Sequence, residues 1–172
     1  MKTFIATWAR PSFFIILSFW VINTSFAQSA KRKAKEAKTA AEVKSMIDAK
    51  SYVFVAQYVQ PMRGGNRYVT PEYDLRIGTD SLVAYLPYFG RAYVAPMNSE
   101  DAGVQFTTTK FDYKVVEKKD SWEVSIVPKN AKDVRTMQLT ISKNGYATLR
   151  VSLNNRDPIS YQGYVEVKKQ KV

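Results

Sequence analysis

Four aromatic residues and an arginine crowd into nine positions of this chain, Tyr85-Leu86-Pro87-Tyr88-Phe89-Gly90-Arg91-Ala92-Tyr93. Pro87 and Gly90 interrupt any strand period, so the four rings cannot all point into one core. Rigid amphipathic rings beside a guanidinium suit a binding surface for a small apolar molecule, a glycan or a peptide. Tyr85, Tyr88, Phe89, Arg91 and Tyr93 are therefore the candidate ligand-binding residues. The competing reading is that Phe89 and Tyr93 plug the end of a β layer while the loop covers it.

Other polar groupings promise less. Glu72 and Asp74, two positions apart on a strand, would project from one face, as the acids of a glycosidase or a calcium site must; a solvated strand face is the simpler expectation. Glu100-Asp101, within MNSEDAG, reads as a polar loop, with too few oxygen ligands nearby for calcium. Asn154-Asn155-Arg156-Asp157-Pro158 has the composition of a turn before a strand. The chain contains neither histidine nor cysteine. That excludes Ser-His-Asp and Cys-His nucleophile pairs and conventional structural zinc sites. No glycine-rich phosphate loop is present. The sequence predicts no enzyme, no metal and no cofactor; a carboxylate-based glycan hydrolase would need buried acids close together in a cleft.

The chain's first residues set the compartment. Lys2 and Arg10 precede the ten-residue run FFIILSFWVI, Phe13 to Ile22, and small residues follow at Ser25 and Ala27. This is the pattern of a secretory signal peptide, residues 1–27, cleaved after Ala27, because ten apolar residues are too few to span a bilayer. The mature protein, Gln28 to Val172, is expected in the periplasm or cell envelope, soluble and without a transmembrane span. With no disulfide available, apolar burial alone must hold it together.

The formal charge of +11 is unevenly spread. Residues 51–167 hold 14 basic and 12 acidic residues, a net +2, so the body is nearly neutral between basic ends. Nucleic acid is not the expected partner. A segment over 28–38, SAKRKAKEAK with its preceding Gln28, reads as a flexible basic leader, and 168–172 as a basic tail.

One domain, 39–167, is expected between them. Thr39 and Glu42 have capping-box spacing, and Ala40, Val43, Met46 and Ile47 share one face of a short amphipathic helix ending near Lys50. The period then changes to two. Phe54, Ala56 and Tyr58 fall on one face of a first strand, Tyr73, Leu75 and Ile77 on one face of another, and Gln60 to Pro71 between them reads as a loop.

Parity constrains the later hairpins, because the side-chain period of a strand is two. Odd-numbered Phe111, Tyr113 and Val115 must face even-numbered Trp122, Val124 and Ile126, which requires an even loop; Glu117 to Asp120 supplies four residues. Met137, Leu139 and Ile141 must face Ala147, Leu149 and Val151, which requires an odd one. Lys143-Asn144-Gly145 fits, a type I turn followed by Gly145 in the left-handed region. A last strand, Ile159 to Val167, carries Gly163 at an expected bulge. The prediction is a mainly β (α+β) domain, an antiparallel barrel or two-layer β-sheet of about eight or nine strands with one N-terminal helix.

The run YDLRIGTDSLVAYLPYFGRAYVAP, the Lys118-Lys119-Asp120-Ser121-Trp122 element, ISKNGYATLRV and NNRDPISYQG together resemble an uncharacterised family of exported Bacteroidota proteins, the domain of unknown function 4251. The resemblance covers roughly Val43 to Val167. It implies a periplasmic or envelope-facing location and brings no activity, substrate or catalytic residue. Some members carry lipoprotein signals, from which this cysteine-free chain departs. The functional expectation is a non-enzymatic binding or accessory module that uses the aromatic loop 85–93, with a ligand or an envelope protein as partner. The alternative is an envelope structural or assembly protein that contacts partners or anionic polymer through its basic ends.

Overall fold

The computed structural model describes residues 31–93 and 103–167. The expected signal peptide, Glu100-Asp101 and the expected basic tail lie outside them. The chain divides into two units, residues 1–38 and 39–172. Of the first, residues 31–38 are helical and carry an i,i+4 ion pair, Arg32 Nε to Glu36 Oε1 at 2.8 Å.

Helix α1 covers residues 31–48, so Thr39 is an interior position and the capping box does not start it. The Ala, Lys and Glu residues ahead of Thr39 are strong helix formers, and their summed propensity carries the helix through the expected leader. The C-terminal stop is sharp. Lys50 adopts φ 50°, its N–H bonds to the Ile47 carbonyl at 3.1 Å, and the Ser51 N–H bonds to the Met46 carbonyl at 3.2 Å. That is a Schellman closure with lysine where glycine is usual.

Ten strands follow: β1 (Tyr52–Pro61), β2 (Arg67–Tyr68), β3 (Asp74–Ile77), β4 (Leu82–Leu86), β5 (Val104–Thr108), β6 (Phe111–Glu117), β7 (Ser121–Pro128), β8 (Val134–Ser142), β9 (Tyr146–Leu153) and β10 (Ile159–Val167). Their hydrogen-bonded order is β5-β4-β3-β1-β10-β9-β8-β7-β6, with β2 pairing off the path onto β1. Every neighbour pair is antiparallel. β5 and β6, at the two ends of this order, therefore run in the same direction. Only Thr109 and Lys110 separate them, so Val104 to Glu117 is one continuous run that pairs with β4 along its first half and β7 along its second. The result is an up-and-down meander of eight runs whose last strand pairs with its first, a nearly closed barrel. The joint is held by Thr108, whose buried hydroxyl accepts from the Lys110 N–H at 3.1 Å.

Alternation sorts the side chains as period two requires. Leu75, Ile77, Leu82, Ala84, Leu86, Trp122, Val124, Ile126, Met137, Leu139, Ile141, Leu149, Val151 and Tyr161 form one apolar cluster. Val43 and Ile47 of α1 join it. Around them Lys44 Nζ donates to Glu117 Oε2 at 2.6 Å, and the Tyr113 hydroxyl donates to the Ile47 carbonyl at 3.4 Å. The Tyr52 and Tyr113 hydroxyls are 3.1 Å apart, and burial pushes both phenols up. The helix thus sits at the mouth of the barrel where β1 starts and β6 ends, and Val43 lies beside Gly145 of the β8–β9 turn.

The predicted pairing of β8 with β9 is observed: Met137 faces Val151, Leu139 faces Leu149 and Ile141 faces Ala147. Gly145 has φ +86°, and its N–H bonds to the Ser142 carbonyl at 2.9 Å. Gly145→Val is expected to cost about 1–2 kcal/mol, read as a lowered midpoint in thermal melts. The cost comes from backbone strain at this positive φ; an added Cβ itself meets only ordinary contacts, Val43 Cγ2 at 3.8 Å being the nearest beyond its chain neighbours. An unchanged melt would mean that the turn adopts another form.

Three expectations are corrected. In the β6–β7 hairpin the faces are right, but Glu117 pairs with Trp122 and the turn closes from Lys118 N–H to the Ser121 carbonyl at 2.8 Å. The turn thus lies one residue later, and the pairing shifts by two. The bulge near Gly163 belongs to β1, where the register shifts between Ala56 and Tyr58. That extra residue, Gln57, turns Tyr58 away from the face of Phe54 and Ala56 and leaves it 45% exposed. Finally, the expected loop 60–71 contains β2, a strand of two residues, too short to show a period.

Candidate binding surface

β4 delivers the chain to the aromatic loop, and its five sequence-predicted residues separate into distinct roles. Tyr85 stays on β4 and faces outward, stacked on Tyr73 with centroids 5.4 Å apart and planes 15° apart. After it, Leu86 and Pro87 are buried, and the Pro87 carbonyl accepts a hydrogen bond from the buried Tyr161 hydroxyl at 2.8 Å. Burial pushes the Tyr161 phenol up, and this neutral donor pins the start of the loop to the barrel interior.

Tyr88 turns back against the core. Its hydroxyl lies 2.8 Å from the Arg91 carbonyl and 3.0 Å from the Asp157 carbonyl, so one O–H spans the loop and the β9–β10 connection. Burial is the first cause raising the Tyr88 phenol, with the Asp157 carboxylate adding to it and Arg156 opposing. Backbone bonds complete the junction. The Tyr93 N–H donates to the Asn155 carbonyl and the Asp157 N–H to the Arg91 carbonyl, both at 3.0 Å, flanking an antiparallel bridge between Ala92 and Arg156. The segment read as a simple turn, 154–158, is thus the platform on which the loop rests.

What remains outward is Phe89, Arg91 and Tyr93. Phe89 is 42% and Tyr93 65% exposed, so neither plugs the barrel. Each carries a guanidinium on its face: Arg67 lies 4.9 Å from the Phe89 centroid and Arg91 5.7 Å from that of Tyr93. The Tyr93 hydroxyl donates to Asp157 Oδ1, which raises its phenol, while Arg91 and Arg63 pull the other way. Beneath them Arg156 is buried. It donates to the Gly103 carbonyl and to Asp133 Oδ2, both at 3.3 Å, and covers the Tyr88 ring at 5.3 Å.

The arrangement is an arginine-framed aromatic rim on fixed backbone. Arg63, Arg67, Arg156 and Asp157 were missed by sequence reasoning. Only the density of hydrogen-bonding groups in 154–158 hinted at the last two, and nothing marked Arg67, which lies in β2, within the expected loop. The Glu72/Asp74 pair does not form. Asp74 is buried on β3 with one oxygen accepting from Arg76 Nε at 2.8 Å, and Glu72 is exposed in the preceding turn. Among the described residues no group of three or more acidic side chains could hold a metal ion.

An antiparallel barrel with a helix at one mouth and a pinned aromatic loop defines a small all-antiparallel β domain with one composite rim. The chain belongs to the family described as domain of unknown function DUF4251, whose model matches residues 34–165. It is similar in fold to the crystal structure of a DUF4251 family protein from Bacteroides eggerthii DSM 20697, solved at 1.95 Å resolution. The TM-score is 0.58 and the identity 16%, over 78% of this chain and 91% of that one. No curated protein matches the chain.

Proposed function

We propose that this chain is an exported, non-enzymatic binding module of the cell envelope that captures an anionic partner segment on the rim formed by Phe89, Arg91, Tyr93 and Arg67. The observation that carries the reading is the pairing of two exposed rings with two guanidiniums on a backbone fixed by Tyr88 and the Ala92–Arg156 bridge. Cation–π stacking holds each arginine fork in place while leaving its edge free to bind a carboxylate, and the rings supply apolar area at little entropic cost. The missing histidine and cysteine support binding over catalysis, and residues 1–27 support export. No helix among the described residues is long and apolar enough to cross a membrane.

The test uses protein recovered from the periplasmic fraction, which should begin at Gln28, and the copolymer poly(Glu,Tyr) as an acidic, aromatic probe. Binding should fall about tenfold or more in the double variant Arg67→Ala, Arg91→Ala and weaken with salt. Both side chains are exposed, so the melting midpoint should hold. Equal binding by the double variant, or recovery of the protein only from the cytoplasm with residues 1–27 intact, would sink the reading. Tyr88 is unsuitable as a test position because it anchors the loop.

A further inference from the structure

A second surface lies on the outside of the barrel. Two adjoining hollows, of about 320 and 370 Å³, share Gln57 and Tyr146 and cross β8, β9, β10 and β1. The bulge residue Gln57 lines both, and the bulge turns Tyr58 outward as one wall of the first. Tyr146, 62% exposed at the start of β9, is the other. Gly163 of β10 and Ala147 of β9, whose side chain belongs to the core, also line the first hollow.

We infer that this groove binds a neutral glycan chain. The chain carries 26 basic and 15 acidic residues, yet every residue lining either hollow is uncharged. An ionic ligand would find no counter-charge there. The polar groups are amides and hydroxyls, chiefly Gln57, Gln162, Thr140 and Thr148. These both donate and accept, as the hydroxyls of a sugar do. Tyr58 and Tyr146 offer flat faces for the C–H side of a pyranose ring, the usual division of labour in a site that orients a polar ligand on an apolar wall. Two hollows in a row match a run of sugar units better than a single one. A peptide is disfavoured by geometry. Peptides that join sheets add at a free edge, and this groove lies on a sheet face where β10 is paired on both sides.

Affinity electrophoresis in native gels, cast with xylan, hydroxyethylcellulose, galactomannan or pullulan and with polygalacturonate as the anionic comparison, tests the assignment. The wild-type protein should be retarded by at least one neutral polysaccharide, and the retardation should persist at high salt. Tyr146→Ala and Gln162→Ala should each weaken it by about tenfold without moving the melting midpoint, because both side chains are exposed. The Arg67→Ala, Arg91→Ala double variant should bind the same polysaccharide normally, which separates this groove from the rim. Three results would overturn the proposal: no retardation by any neutral polymer, retardation by polygalacturonate alone, or unchanged binding in Tyr146→Ala.

Discussion

Gly163→Ala is expected to destabilise the protein by about 3 kcal/mol or more, lowering the thermal midpoint by roughly 10 °C or more. Gly163 sits opposite Ala56, where β10 pairs with β1. A Cβ built on it would lie 1.9 Å from the Val55 carbonyl oxygen, 2.9 Å from the carbonyl carbon and 3.2 Å from Ala56 Cα. All three are backbone atoms, so no rotamer change relieves the clash. Only separating β1 from β10 would do so, and that pair closes the barrel. Gly65→Ala is the matched control, since nothing lies within 4 Å of its added Cβ. Circular dichroism melts of the two variants should differ widely, and a Gly163→Ala midpoint near wild type would mean that the strands are not so closely apposed.

The second large effect concerns the rim. Arg156→Ala should cost about 2–4 kcal/mol, because it empties a buried guanidinium site that bonds Gly103 and Asp133 and covers Tyr88. Asp133 is half exposed and water can solvate it, whereas the Gly103 carbonyl and the Tyr88 ring lose contacts with no substitute. Arg156→Lys keeps the charge but replaces a planar fork by a point donor, and should recover less than half of the loss. Hydrogen exchange distinguishes a local from a spread effect. The amides of Tyr93 and Asp157, which bond across the loop junction, should exchange much faster in Arg156→Ala. Retained protection of those two amides would show that the loop holds without the guanidinium.

Sequence period and parity were strong where the chain is regular. Leu139 had to meet an odd-numbered partner because an even loop would have set Arg150 opposite it, and the observed Leu139–Leu149 pair obeys that constraint. Local signals failed where longer-range effects override them. The Thr39/Glu42 spacing is a sound N-terminal signature, but eight helix-compatible residues, 31–38, precede it within the described helix, and propagation costs little once a helix is nucleated. Likewise Gly163 signalled irregularity on β10, whereas the extra residue sits on the partner strand, and a single strand's sequence does not say which of two paired strands bulges. The rim was half visible. Pro87 and Gly90 marked a loop whose rings must diverge, but its seat on 154–158 joins segments more than 60 residues apart, each of which reads alone as a turn. The outer groove was invisible, because Tyr58 reaches it only through the bulge at Gln57.

The pairing of the first strand with the last sets when this protein can fold. Tyr52 meets Val167 and Pro61 meets Ile159, so β1 lacks its longest partner until β10, later in sequence than every other strand of the barrel, has been made. Such non-local closure makes for slow assembly, on the millisecond-to-second scale of β barrels. A chain emerging from the ribosome would therefore stay loose until β10 has been made. Under the export proposed above, that delay would keep the polypeptide competent for passage across a membrane, and the barrel would close only when β10 arrives on the far side.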